Sequence, residues 1–148
     1  RQGQKVYYSG KKKRLTLKNE IRFTPKGRIV HISKSHPGSI HDFALHKEEP
    51  PLHKHTRAYA DSGYTGLDKI HQQAEVPFKK KKGKSLDKEE KLYNHALSRL
   101  RVIVENIIGD MKVFRIFSDR YRNKRKRHHL KVNIIAGLVN IKNGFSPA

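Results

Sequence analysis

Residues 86–114 read LDKEEKLYNHALSRLRVIVENIIGDMKVF and carry the strongest periodic signal in the chain. Leu92, Ala96, Leu100, Ile103, Ile107, Met111 and Phe114 recur at spacings of three and four, which places them on one side of an α-helix. Ser85 or Asp87 is positioned to cap that helix, and Glu89 and Glu90 suit the positive pole of its first turn. Gly109 costs about 1 kcal/mol against alanine, so a bend or a stop is expected near it. A second face holds Ser98, Arg101, Glu105, Ile108 and Lys112, which also align at helical spacing. A carboxylate with arginine one turn away and lysine two turns away suits a site where metal and phosphate meet. The same Arg101–Glu105 spacing also makes an ordinary surface ion pair, worth a few tenths of a kcal/mol.

Upstream of the helix the pattern is extended. Leu15 to Phe23 alternates in the strand manner with a break at Asn19, Pro25-Lys26-Gly27 signals a turn, and Arg28 to Ser33 alternates again. The two runs predict an antiparallel hairpin. Pro37-Gly38-Ser39 breaks the second strand, and Ser39 is placed to cap a short helix through Asp42, Phe43 and Leu45. Arg57 to Ala60 is a short strand candidate leading into Asp61-Ser62-Gly63-Tyr64, and Thr65 to Ala74 a helix candidate. Val76-Pro77-Phe78 is extended. A basic loop at 79–85 and a basic segment at 120–129 come next, and Leu130 to Ile141 reads as a final packing helix. The order of elements predicts a single mixed α/β domain.

The chain has 148 residues, a net charge of +21 and a pI near 10.4. Charge of this size points to a polyanionic partner, and nucleic acid is the default because each neutralised phosphate releases condensed counterion. No apolar run approaches the length of a membrane span, and no basic amphipathic helix with a wide apolar face stands out. Cysteine is absent, which removes disulfides and zinc–thiolate sites and fits a cytosolic protein. His53 and His55 are close in sequence, but no partner set with zinc spacing accompanies them. Arg1 is not a start methionine, so the chain reads as cut from a longer frame.

Asp61 follows a strand candidate and precedes a turn, a common place for an active-site carboxylate in open sheets. The plainer reading is an aspartate that forms the turn or caps the next helix.

At these residues the chain resembles a known family. Asp61-Ser62-Gly63-Tyr64 is similar to the aspartate-x-glycine-tyrosine signature of insertion-sequence transposases of the IS4 and IS5 groups, which are DDE transposases. Arg101, Glu105 and Lys112 match the arginine–glutamate–lysine signature of the same group. Tyr7-Tyr8-Ser9-Gly10-Lys11-Lys12-Lys13, Gly38-Ser39-Ile40-His41-Asp42 and the run from Arg120 to Asn123 also resemble IS5-type stretches. Two departures stand out. The family motif has a tyrosine where this chain has Ser98, and its first catalytic aspartate lies upstream of the Tyr-Tyr-Ser-Gly stretch.

The resemblance implies an RNase H-like fold with a mixed sheet and flanking helices, its first strand missing or incomplete here. This chain would be the carboxy-terminal part of the catalytic domain. It implies Asp61 and Glu105 as catalytic metal ligands, a two-metal Mg²⁺ or Mn²⁺ site in the complete enzyme, and their carboxylates within about 8 Å. Arg101 and Lys112 would contact phosphate or orient Glu105. Lys79, Lys80, Lys81, Lys82, Arg120 and Arg122 would contact DNA, namely transposon ends and target. Asp42 is the best remaining candidate for a third carboxylate, ahead of Asp110 and Asp119. The expected activity is metal-dependent endonucleolytic cleavage and strand transfer, with this chain inactive alone. The expected setting is the bacterial cytoplasm at the nucleoid, with a homo-oligomer possible for the complete transposase. The competing readings are a non-catalytic basic nucleic-acid-binding protein, such as a ribosome-associated domain, and an RNase H-like nuclease outside transposition.

Overall fold

A computed structural model describes residues 8–9, 14–119 and 125–146. The described chain is mixed α/β. Its strands are β1 (Tyr8–Ser9), β2 (Arg14–Leu15), β3 (Leu17–Lys18), β4 (Ile21–Phe23), β5 (Ile29–Ile32), β6 (His36–Pro37), β7 (Ala58–Tyr59) and β8 (Ala74–Glu75). Its helices are α1 (Asp42–Lys47), α2 (Lys88–Lys112), α3 (Arg115–Ser118) and α4 (His128–Lys142). Among the described residues the strands join two by two: β1–β2, β3–β6 and β4–β5 are antiparallel, and β7–β8 is parallel. The chain divides into two compact units, residues 1–40 with 103–148, and residues 41–102.

In the first unit the predicted hairpin forms as β4 and β5, with Ile21 opposite Ile32 and a register shift between Arg22 and Phe23. Its turn closes through Gly27 N–H to Thr24 O at 2.8 Å, and Gly27 takes φ +91°, which suits glycine. Leu17 belongs to β3, which pairs with β6 instead. At the join the Glu20 N–H donates to Ser33 Oγ at 2.7 Å, and the Ser33 N–H donates to Glu20 O at 2.9 Å. Ile29, Ile32, Ile107, Met111, Val132, Ile135, Ala136 and Val139 form the core, flanked by Ile103, Phe114, Ile116 and Phe117. The hairpin, the last turns of α2 and one face of α4 supply it. Asn140 fastens α4 to the hairpin by two bonds. Its Oδ1 accepts from Ile29 N–H at 2.8 Å and its Nδ2 donates to Ile29 O at 2.9 Å, so the outer edge of β5 is satisfied by a side chain. His128 is buried at the start of α4, with Nδ1 2.7 Å from Ser35 Oγ. Burial, then Lys131 and His129, push its imidazole below the ordinary histidine value.

In the second unit Leu45 of α1 and Leu67 are the buried apolar side chains. The Thr65–Ala74 segment is not the predicted helix. Gly66 sits at φ +103° with Phe43 Cε1 3.0 Å from where its Cβ would stand, and only a 3₁₀ turn, Leu67–Lys69, comes after it. Buried His71 is pinned to Thr56 O at 2.5 Å, and Ala74–Glu75 is drawn into β8. Nor is Ser39 the cap of the short helix: α1 starts at Asp42 with His41 at its N-cap position.

The long helix begins at Lys88, two residues after the expected Leu86, with Asp87 rather than Ser85 as its cap. Asp87 Oδ1 accepts from Glu90 N–H at 2.7 Å while Glu90 Oε2 accepts from Asp87 N–H at 3.0 Å, a reciprocal capping box. It passes through Gly109 to Lys112. Its apolar stripe is only partly covered: Ile107 and Met111 are buried, whereas Leu92 is 63% exposed.

Candidate active site

β7 and β8 aim the chain into Asp61. Ala58 N–H donates to Gln73 O and Ala60 N–H to Glu75 O, each at 3.0 Å, so the backbone is held to the residue before Asp61. The chain then turns through the 3₁₀ segment Ser62–Tyr64, with Asp61 at its N-cap. Asp61 Oδ1 accepts from Gly63 N–H at 2.6 Å. The turn-forming reading of Asp61 is therefore real. It engages one carboxylate oxygen of an exposed side chain and leaves the second for other partners.

The other two residues of the signature have physical causes as well. A Cβ on Gly63 would stand 2.5 Å from Asp42 Oδ2 and 2.8 Å from Asp61 Oδ1, so any side chain there would push the two carboxylates aside. Tyr64 packs edge-on against buried His46 of α1, with ring centroids 5.9 Å apart. Docking of the turn on α1 thus brings Asp42, from the first turn of that helix, beside Asp61. Alanine at Gly63 is expected to cost about 1–3 kcal/mol through overpacking. Gly109→Ala, where an added Cβ meets nothing within 4 Å, is expected to stabilise by up to about 1 kcal/mol. Denaturant melts of the two variants check the pair, and equal midpoints would contradict the close approach.

Arg101, Glu105 and Lys112 are exposed on α2. Glu105 and Lys112 fall in the first compact unit, and Asp61, Asp42 and Arg101 in the second. Lys79, Lys80, Lys81 and Lys82 are exposed, with Gly83 at φ +80° in the turn after them. Arg120 and Arg122 lie outside the described residues, as does all of the basic segment before Arg125. Asp110 is tied to Lys142, and that hydrogen bond, helped by Asn143, holds its carboxyl below the usual range. It fastens α2 to α4. No group of three His, Cys, Asp or Glu suited to a metal occurs among the described residues. The paired carboxylates of Asp42 and Asp61 are nonetheless hard oxygen donors, the kind that Mg²⁺ and Mn²⁺ take. Among the described residues no helix is long and apolar enough to cross a membrane.

Sequence reasoning passed over one set of residues, the exposed rings of Tyr59 and of Phe78, which directly precedes the lysine loop. Their exposure depends on the β7–β8 pairing and on a clamp by Asn94, neither of which leaves a periodic signal.

Comparison with known proteins bears on the whole chain. The family described as DDE superfamily endonuclease matches residues 1–140. Over 141 residues the chain is 40% identical to the probable transposase for insertion sequence element IS702 of Microchaete diplosiphon, covering 95% of this chain and 51% of that protein. The chain thus spans about half the length of the curated relative it matches. No solved structure matches it. With nearly the full length inside the family match, and with the Asp61–Tyr64 turn built as described, the chain belongs to the DDE superfamily of endonucleases.

Proposed function

We propose that this chain is the carboxy-terminal part of the catalytic domain of an IS5-like transposase, RNase H-like in arrangement, that cleaves DNA at insertion-sequence ends and transfers the strand to a target. The observation that carries the reading is the Asp61–Tyr64 turn, which holds the signature aspartate beside Asp42 in a protein of the DDE family. Asp61 and Glu105 are the metal-holding carboxylates in this reading, and Asp42 lies beside Asp61 as a further oxygen donor. Asp61 and Glu105 would hold a divalent cation, and the chemistry it would bring is activation of a water or 3′-hydroxyl nucleophile at neutral pH and stabilisation of the leaving oxygen. Arg101 and Lys112 bind phosphate oxygens near Glu105, and Lys79 to Lys82 neutralise the DNA backbone. In this reading Asp61 and Glu105 are two of the family's three signature carboxylates, so the isolated chain is expected to bind DNA with little nicking of its own.

The test is Mg²⁺-dependent nicking of supercoiled DNA by a full-length transposase carrying this sequence. Asp61→Ala or Glu105→Ala is expected to lower the rate by more than about a hundredfold, since even outer-shell partners of metal ligands cost 10–100-fold. Full activity in either variant removes that residue from the site.

A further inference from the structure

We infer that the second unit carries a stacking surface for unpaired bases, built from Phe78, Tyr93 and Tyr59 and continued by the lysine loop. The inference rests on the DNA-processing reading and narrows it to the form of the strand bound here.

Phe78 is 49% exposed and Tyr59 is 40% exposed. Exposure alone is common for large apolar side chains, and it is the fixed placement of these rings that sets them apart. Phe78 lies outside any helix or strand, yet both its backbone groups are held. Its N–H donates to Asn94 Oδ1 at 2.9 Å and its C=O accepts from Asn94 Nδ2 at 3.0 Å. Its ring meets Tyr93 of α2 at 5.3 Å between centroids and 63° between planes. Burial, with the charge of Glu75 and a hydrogen bond to it, holds the Tyr93 phenol above its ordinary range, in its neutral donor form. The same Glu75 carboxylate takes Arg57 at 2.6 Å, and the Arg57 guanidinium stands 5.5 Å from the centre of the Tyr59 ring. Three rings are thus linked through one carboxylate and one guanidinium, all on elements of a single unit. Tyr59 lies two residues before Asp61, and Lys79 directly follows Phe78.

Duplex DNA buries its base faces in its own stack, so open rings gain nothing from it. Lysines alone do not distinguish duplex from single strand. Exposed rings on rigid supports, continuous with exposed lysines in a chain of charge +21, complement a strand whose phosphates are accessible and whose bases are unstacked. An acidic protein would use the lysines and leave the rings idle.

The chain has no tryptophan, so Phe78→Trp supplies a single tryptophan, excited apart from the tyrosines, at the surface in question. The probes are a short oligothymidylate, a blunt duplex of equal length and heparin, which has anionic charge but no bases. Oligothymidylate is expected to quench the tryptophan, and duplex and heparin are expected to bind with little quenching. Phe78→Ala and Tyr59→Ala are each expected to weaken single-strand binding roughly tenfold or more, with duplex binding changed less than about twofold. Unquenched tryptophan, or equal loss for single strand and duplex in both alanine variants, overturns the stacking surface. Duplex binding with no quenching by oligothymidylate sinks this inference alone, whereas no salt-sensitive binding to any DNA sinks the DNA-processing reading with it.

Discussion

Raising the salt from about 50 to about 200 mM is expected to weaken duplex binding by this chain by ~10³-fold or more. The lysine loop supplies Lys79, Lys80, Lys81, Lys82 and Lys84, all exposed, and Arg101 and Lys112 are exposed on α2. A surface that neutralises six or more phosphates loses affinity on that scale, because each contact has released about 0.9 of a counterion. Replacing Lys79, Lys80, Lys81 and Lys82 by alanine is expected to flatten the plot of log affinity against log salt by roughly 3 to 4. An unchanged slope would mean that the loop is simply solvated and that the backbone contacts lie elsewhere. Binding measured by anisotropy over a salt series decides between the two.

Met111→Ala is expected to lower stability by about 2–5 kcal/mol. The side chain is 1% exposed in the α2–α4–hairpin core, where deleting it removes its transfer free energy and leaves a cavity. Val113→Ala, two residues on and 77% exposed, is the matched control and is expected to change stability by less than about 0.5 kcal/mol. Denaturant midpoints measure both. A cost below about 1 kcal/mol at Met111 would show that the core around it is not close-packed.

Met111 also shows what periodicity can and cannot say. The three-and-four spacing from Leu92 to Met111 correctly marks a helix and its apolar side, with Ile107 and Met111 buried on it, whereas the helix ends at Lys112 before Phe114. Periodicity identifies a face, not whether anything covers it, and Leu92 on the same stripe is open. The β4–β5 hairpin was legible because alternation and the Pro25-Lys26-Gly27 turn agree. The Thr65–Ala74 segment was not, because its course depends on a left-handed Gly66 against Phe43 and on the His71 bond to Thr56, both tertiary contacts. For the site, the Asp61 turn could be read from four residues. The neighbourhood of Asp42 and Asp61 could not, since it arises when Gly63 passes between segments about twenty residues apart.

The proposed activity turns on whether Asp61 and Glu105 hold a divalent cation. Mn²⁺ titrated into the isotopically labelled chain broadens amide signals near wherever it binds. Early broadening is expected around Asp61–Tyr64, at Asp42, and around Glu105, with Asp61→Ala or Glu105→Ala each weakening all of it together. Broadening confined to His53 and His55, or unchanged by both substitutions, would contradict a metal site built on these two carboxylates.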